Sequence, residues 1–335
     1  MYIPSGLTEI APGVHAWLPD FPGTWGMANC VLIASGPAAL LVDTPYTAAL
    51  TRSLTAAAHR VLPPQAAIST VVNTHGNGDH SYGNGLFPDA EIISTHANLG
   101  HLCAEPEPEQ LHALLDQCDS GDLFQRYMLA HFGRYDYQGL KLTPPTRTFT
   151  GRLEVEVGST AVELIEVGPA HTSGDLIVHL PDSQVVCAGD VLFIGDVPVH
   201  WAGPLGGVID ACQRILDLDP RIVVPGHGPL VGPAEVSTYM NFIDDVRTRI
   251  HALHASGLNT EEAARILLRE HQDTDLGLVE RLAVLTATEY RHLNQDTTPL
   301  ELVEVLGAAV RLAPDCVPAT VPERAVLLAD FHARL

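Results

Sequence analysis

The segment Asn73–His80, with the sequence Asn-Thr-His-Gly-Asn-Gly-Asp-His, most constrains what this chain can fold into. It directly follows Ser69–Val72, a run of β-branched and apolar residues that predicts a buried strand. The glycines let the backbone turn tightly, so that His75, Asn77 and Asp79 can point at one spot. Loops at strand ends are where α/β sheets present chemistry, and imidazole with carboxylate suits Zn, Fe or Mn. A glycine-rich turn with incidental histidines is the alternative.

Three later segments each carry one further metal-competent side chain at or near a strand end. His171 lies in a loop just before an apolar strand, and Asp190 ends a strand of a predicted hairpin. His227 lies in a Gly/Pro loop after a short β-branched strand. Four such segments in this order are hard to obtain by chance, so together they favour a metal site over an incidental turn.

Short strands alternate with helices from residue 1 to about residue 230, which predicts an α/β body. Two strand-turn-strand units each end in an aspartate, a hint of internal duplication in the sheets. The predicted elements are a hairpin over Val31–Asp43, a helix over 46–60, a strand over Glu91–Thr95, a hairpin over Leu153–Val167 and a second strand-turn-Asp unit over Leu176–Asp190.

The pattern changes to helical after residue 232. Apolar residues recur at three and four positions from Val236 to Leu253, which predicts one apolar helix face. Gly257 can stop that helix, and Asn259 with Glu262 three residues later is an N-cap signature for the next. Residues 277–294 and 299–312 predict two further helices.

These segments resemble the five sequence motifs of the metallo-β-lactamase superfamily, over roughly residues 10–230. Asp43, in Leu41-Val42-Asp43-Thr44, matches the first motif and would support the site without binding metal. The resemblance implies a four-layer αββα sandwich as domain 1–230, followed by a C-terminal helical region over 231–335. Pocket closure and homodimerisation are both open roles for that helical region.

The resemblance also implies the metal ligands. A first site would use His75, the position of Asn77, and His171, and a second would use three further residues, Asp79, His80 and His227. Asp190 would bridge the two sites. The superfamily usually has histidine where this chain has Asn77, and a carboxamide is a harder and weaker zinc ligand than imidazole. We expect one or two Zn²⁺ per chain, with Fe or Mn as alternatives.

The implied activity is that of a metal-dependent hydrolase, in which a metal-bound hydroxide attacks a small acyl substrate such as a thioester, lactone or lactam. Asp79 would orient or deprotonate the water. Asn77 would act as a hydrogen-bond donor to substrate, as a ligand, or only as a turn former. The alternatives are an iron-dependent oxygenase or other redox enzyme on the same fold, and a non-catalytic metal-binding protein.

Five aromatic residues fall in a helical stretch within residues 100–145, which we interpret either as a surface insertion with its own small core or as a lid or pocket wall. A second group of apolar residues near the motif loops would line a pocket or pack in the core. The two sets are Phe124, Tyr127, Phe132, Tyr135 and Tyr137, and Trp25, Met27, Tyr82, Phe193 and Trp201.

Composition excludes some partners. The formal net charge of -22 argues against binding to nucleic acid or an anionic membrane surface, because phosphates need clustered cations. The 6 cysteines are scattered and form no CxxC pair, which fits a reducing cytoplasm. We expect no signal peptide, because no basic region followed by a long apolar run is apparent, and no apolar run approaches the length that would span a bilayer. The predicted partner is a small-molecule substrate.

Overall fold

The computed structural model describes residues 2–19, 23–298 and 302–335. It contains two β-sheets that face each other, with helices on both outer faces. The strands are β1 Thr8–Ala11, β2 Val14–Trp17, β3 Cys30–Ser35, β4 Ala38–Val42, β5 Ala67–Val72, β6 Glu91–Thr95, β7 Arg147–Phe149, β8 Arg152–Val157, β9 Thr160–Glu166, β10 Leu176–Leu180, β11 Val185–Phe193 and β12 Ile222–His227. The helices are α1 Ala48–Val61, α2 Gly78–Ser81, α3 His96–Leu102, α4 Pro108–Asp116, α5 Leu123–Phe132, α6 Leu205–Asp217, α7 Pro233–Ala255, α8 Thr260–Glu270, α9 Arg281–Leu293, α10 Leu302–Leu312 and α11 Arg324–His332.

The first sheet has seven strands in chain order, β1 to β7. Strands β1 to β4 pair antiparallel, and β4 to β7 pair parallel. Parallel neighbours need a crossover connection, which α1 supplies between β4 and β5. The carboxyl ends of β4 and β5 therefore lie side by side, and the residues that follow them, Asp43 and Asn73, begin neighbouring loops.

The second sheet has five strands in the order β12, β11, β10, β9, β8. Both predicted strand-turn-strand units are antiparallel pairs, β3 with β4 and β10 with β11. The second unit ends differently from the prediction, because β11 continues past Asp190 to Phe193. Its register against β12 is irregular on both sides of Gly189, which has a φ of 54°. Asp190 is thus presented by a bulged strand interior, where we had expected a strand end.

Alternating side chains of one strand serve two different cores, as the two-residue period of a strand requires. Leu40 and Val42 of β4 pack between the sheets against Leu164 and Val178 of the second sheet. Leu41 points to the other face and packs with residues of α1. The four-layer αββα sandwich predicted from the sequence is confirmed, and the helices that follow it at the C-terminus are also present.

The C-terminal helices begin and end close to their predicted positions. Gly257 follows α7 with a φ of 79°, and the side chain of Asn259 accepts a hydrogen bond from the Glu262 amide at the start of α8. The helix predicted over 299–312 is observed as α10, and residues 299–301 lie outside the described residues. The largest hydrophobic cluster joins β11 to α6, α7 and α9. The domain boundary at residue 230 stays a prediction.

The stretch of residues 100–145 contributes α4, α5 and part of α3. Its aromatic residues do not form a separate core. Tyr127, Tyr135 and Tyr137 are fully buried in the same hydrophobic cluster as Tyr46 and Leu54 of the first sheet's outer layer. This stretch therefore packs as part of the molecule, and a lid movement stays a prediction.

Among the described residues, no helix has the length and apolar composition that a bilayer crossing requires.

We predict that His131 makes the fold sensitive to acid. This residue of α5 is 6% exposed, and neither ring nitrogen has a hydrogen-bond partner in the part of the chain that the structure describes. Burial, with the nearby charges of Arg281 and Arg134, lowers the pKa of His131 to about 3. In the unfolded chain the pKa is about 6.5, so stability is complete above that pH and falls as the pH drops toward 3. At pH 5 the loss is about 2 kcal/mol.

Urea denaturation of the wild type and His131→Phe at pH 7 and pH 5 tests this. The wild type should lose about 2 kcal/mol more free energy of unfolding between these pH values than the variant does. His59→Gln changes an exposed histidine and is the control. Equal losses in the wild type and His131→Phe would contradict the prediction.

Candidate metal centre

The loop after β5 and the one-turn helix α2 place four of the predicted site residues, His75, Asn77, Asp79 and His80, close together. The turn requires glycine at position 78, because the backbone passes directly against aromatic rings there. A Cβ at this position would lie 2.5 Å from Cζ of Tyr82. The loop must therefore pass within van der Waals contact of that ring, and only glycine fits.

The three remaining candidates come from the second sheet. His171 lies in the loop between β9 and β10, Asp190 lies in β11, and His227 is the last residue of β12. The structure brings all six predicted His and Asp residues together in two groups. Within each group one donor atom per residue lies within 4.8 Å of the others. The groups are His75, His171 and Asp190, and Asp79, His80 and His227.

Asp43 fixes how the histidines of the first loop point. Its backbone has a φ of 61°, a left-handed conformation that aspartate tolerates better than most residues. One carboxylate oxygen accepts a hydrogen bond from the Thr74 amide at 2.7 Å. The other accepts from the Thr74 hydroxyl at 2.8 Å and from Nδ1 of His80 at 2.8 Å. Because a carboxylate only accepts, His80 must carry its proton on Nδ1.

The same reasoning shows which nitrogen carries the proton in two more imidazoles. The Thr74 hydroxyl gives its proton to Asp43, so its oxygen accepts from Nδ1 of His75 at 3.1 Å. Nδ1 of His171 lies 2.7 Å from the Val199 carbonyl and donates to it. In a neutral imidazole the other nitrogen then carries a lone pair, so Nε2 of all three histidines faces the centre as an acceptor. Partners of this kind typically orient histidine ligands of metals.

Several inward-facing atoms lack hydrogen-bond partners among the described residues. They are Nε2 of His75, Nε2 of His80 and Oδ1 of Asp190, and all three are buried. Nε2 of His80 lies 3.1 Å from that Asp190 oxygen, and Nε2 of His171 lies 3.5 Å from the second one. Acceptors at these distances require a cation or a proton between them. The donor set of imidazoles and carboxylates fits a divalent metal such as zinc, iron or manganese.

The electrostatics agree with the donor assignment. Burial lowers the pKa of His75 far below its usual value and that of His171 to about 4, so both rings are neutral at pH 7. Burial alone would raise the pKa of Asp190, but the surrounding histidines hold it well below its usual value. Burial would likewise lower the pKa of His80, yet the carboxylates of Asp190 and Asp43 raise it strongly. The carboxylates therefore favour a positive charge beside Nε2 of His80, which a bound cation can supply.

The family model of the metallo-beta-lactamase superfamily matches residues 23–227. The chain belongs to the metallo-β-lactamase superfamily. Two solved structures have the same fold. A metallo-beta-lactamase from Pontibacter korlensis has a TM-score of 0.53 and 16% identity, over 71% of this chain and 98% of that one. A double mutant of the sec-alkyl sulfatase PisA1 has a TM-score of 0.63 and 15% identity, over 98% of this chain and 62% of that one.

Among curated proteins, this metallo-β-lactamase superfamily member is similar to the alpha subunit of a 2,4-dinitroanisole O-demethylase from Nocardioides sp. (strain JS1661). The two are 27% identical over 209 residues, which is 61% of this chain and 53% of that protein. The matched segment therefore spans about half the length of that relative.

A cavity of about 260 Å³ opens onto the candidate ligands Asp79, His171, Asp190 and His227. Four of the five apolar residues predicted near the motif loops line it, and Met27 is absent from the lining. The helices of residues 100–145 and α10 form another part of its wall. The principal apolar lining residues are Trp25, Tyr46, Tyr82, Leu111, Phe124, Met128, Phe132, Phe193, Trp201 and Leu306.

Asn77 has partners that the sequence did not reveal. Its Nδ2 donates to Oε1 of Glu105 at 2.8 Å and lies 3.1 Å from Nε2 of His101. Its Oδ1 lies 2.7 Å from Nε2 of His171. The amide hydrogens are thus already engaged within the protein, so this geometry does not support a role as donor to substrate. His101 lies in the last turn of α3 and Glu105 follows in the turn after that helix, and no local pattern marked either residue.

We predict that Asp43→Asn weakens metal binding without unfolding the protein. Asparagine tolerates the left-handed backbone, but its amide has only one acceptor oxygen. It therefore cannot replace both carboxylate oxygens, which accept hydrogen bonds from Thr74 and His80. Loss of such a partner costs about 10–100-fold in metal affinity. Competition with a chromophoric chelator measures the affinity. Asp219→Asn is the matched control, since Asp219 also has a positive φ of 50° but is exposed and distant from the site. An unchanged affinity in Asp43→Asn would contradict the assigned role.

Proposed function

We propose that this protein is a metal-dependent hydrolase of small substrates that have a flat apolar part, and that it cleaves an ester or ether bond. The observation that carries the proposal is the cavity, which combines aromatic walls with both candidate ligand groups. The relative named for O-demethylation of 2,4-dinitroanisole, an aromatic ether, supports this substrate class. The thioester, lactone and lactam substrates implied by the resemblance stay predictions.

The ligands that we propose are those predicted from the sequence. His75, His171 and Asp190 would hold one ion, and Asp79, His80 and His227 would hold a second, with Asp190 shared. A bound divalent metal would supply a Lewis acid and lower the pKa of a coordinated water to about 7.

Asn77 completes the first group as an oxygen ligand in this proposal. Glu105 determines which way the amide points, because its carboxylate can only accept and so faces Nδ2. Oδ1 of Asn77 then faces Nε2 of His171, 2.7 Å away. Because His171 donates from Nδ1, its Nε2 also carries a lone pair, so two acceptors face each other. The reversed amide would place Oδ1 against the Glu105 carboxylate, which is also unfavourable. A cation beside Oδ1 and Nε2 relieves the contact, and the resulting set is richer in oxygen than one with a third histidine.

The remaining residues position the reactants. Asp79 lines the cavity, and its Oδ2 lies 3.5 Å from Nε2 of His227. We assign Asp79 as the group that orients the attacking water and accepts its proton. The apolar walls exclude bulk water from the cavity and hold the flat part of the substrate by contact with ring faces.

The ligand role of Asn77 predicts the metal content of variants. Asn77→Ala should weaken metal binding about tenfold or more at the site of His75 and His171, while the second ion stays bound. Glu105→Gln should weaken binding at the same site by a smaller factor. Asn77→His should bind zinc more tightly, because imidazole suits zinc better than an amide does. Elemental analysis with chelator titration measures this, and Glu109→Gln, an exposed neighbour on α4, is the control. Wild-type stoichiometry and affinity in Asn77→Ala would refute the ligand role.

The reaction itself is tested with metal-loaded protein and a panel of 4-nitrophenyl acetate, an acyl thioester, a lactone, a β-lactam and 2,4-dinitroanisole. We expect turnover of an aromatic ester or ether, incorporation of ¹⁸O from labelled water, and loss of activity on chelation. Asp79→Asn should lower the rate by about 10²-fold or more, with its metal content measured in parallel, whereas the exposed Asp182→Asn should not. Turnover that consumes O₂ and releases formaldehyde would overturn the hydrolase proposal in favour of the iron-dependent redox alternative.

A further inference from the structure

Arg281, the first residue of α9, is a buried cation in the wall of the cavity. It is 3% exposed and lines the cavity together with Asp190 and His227. Its guanidinium carbon lies 3.9 Å from the centre of the Trp25 ring and 5.5 Å from that of Phe193. Stacking on aromatic faces is typical of arginine side chains that present their N–H groups to a ligand.

The guanidinium has few partners within the protein. Its Nη1 donates to the Val197 carbonyl at 3.2 Å, and its Nε is buried without a hydrogen bond to any residue that the structure describes. Within residues 2–19, 23–298 and 302–335, no carboxylate oxygen pairs with it at 4.0 Å or less. The carboxylates of Glu280, Asp196 and Asp190 act on it only from longer range. A buried guanidinium without an ion-pair partner is unfavourable unless a ligand completes it.

The carboxylates of Glu280 and Asp196 each direct one oxygen at a partner other than Arg281. One oxygen of Glu280 accepts a hydrogen bond from the Tyr127 hydroxyl at 2.7 Å, and Oδ1 of Asp196 accepts from the Gly23 amide at 3.2 Å. The Tyr127 hydroxyl in turn accepts from Nε1 of Trp25 at 2.7 Å. This chain of hydrogen bonds holds the indole ring under Arg281 and keeps Glu280 directed at tyrosine.

The surroundings combine this cation with flat apolar surfaces. The rings of Trp25 and Trp201 stack 6.0 Å apart, and Phe132 lies 5.9 Å from Trp25. On the other side Phe193 stacks on His227, with 5.2 Å between ring centres and an interplanar angle of 7°. Arg281 is therefore separated from a candidate metal ligand by a single aromatic ring. A small molecule in this cavity can contact the ring faces, the guanidinium and the metal centre at once.

We propose that Arg281 is the anion-binding residue of this cavity, and that it recognises an oxyanion attached to a flat apolar body, such as an aryl carboxylate, a phenolate or an aryl sulfate. The oxyanion that Arg281 binds belongs either to the substrate or to the product of its cleavage. The inference rests on the proposed function for the identity of the reaction, but the binding that it describes requires no turnover.

The test compares two probes of equal shape, benzoate and benzamide, by titration calorimetry on the metal-loaded full-length protein. The wild type should bind benzoate at least tenfold more tightly than benzamide, because a guanidinium can form a bidentate ion pair with the carboxylate but meets only a neutral carbonyl oxygen in the amide. Arg281→Lys should retain part of this preference and Arg281→Met should lose it, with metal content unchanged in both. Arg324→Met, which removes a buried arginine that pairs with Asp116, controls for general destabilisation and should keep the preference.

Several results would overturn the proposal. Equal affinities for benzoate and benzamide in the wild type would do so without any variant, even if Arg281→Met fails to fold. A benzoate preference that persists in Arg281→Met would assign the anion to the metal instead. Inorganic sulfate competing as well as benzoate would show that the apolar body is not recognised. A benzoate preference in a protein that hydrolyses none of the tested substrates would refute the proposed function but support the anion-binding role of Arg281.

Discussion

The carboxylate of Asp43 is the interaction on which the rest of the site depends. It lies where β4 ends, beside the end of β5, and accepts hydrogen bonds from the backbone and side chain of Thr74 and from His80. Because it can only accept, it fixes the proton of His80 directly and that of His75 through the Thr74 hydroxyl. A buried anion thereby turns two imidazole lone pairs toward the same space. The left-handed backbone of Asp43 is the strain that accompanies this arrangement.

The fold and the clustering of the candidate donor residues were predictable because they leave local patterns. Strand pairs such as β3 and β4 alternate between two cores with a period of two residues, and Asn259 with Glu262 forms the expected cap of α8. The glycines around Asn77 mark a tight loop after a buried strand. These features depend on neighbours within a few positions along the chain. The bulge that places Asp190 inside β11 depends on pairing with β12, so the sequence alone misplaced it at a strand end.

The partners of the site residues could not be predicted, since they come from distant parts of the chain. Glu105 contacts Asn77 from the turn that follows α3, and the Val199 carbonyl orients His171 from a loop without regular structure. Arg281 meets Trp25 although more than 250 positions separate them. No periodicity connects such residues, and each has an ordinary local context. The orientation of a candidate ligand and the polarity of a cavity are therefore properties of the tertiary structure, even where a motif indicates which residues are the candidates.

The charge of the whole chain and the charge of the cavity have opposite consequences for a substrate. A formal net charge of -22 repels an anion at a distance and slows its approach. Inside the cavity the carboxylates of Asp79 and Asp190 would be offset by bound divalent cations, and Arg281 adds a positive charge among aromatic rings. Interactions in this poorly hydrated space are stronger than those at the surface. Selectivity for an apolar oxyanion can thus arise locally, against the field of the protein, because surface charges are screened beyond about 10 Å whereas the buried guanidinium is not.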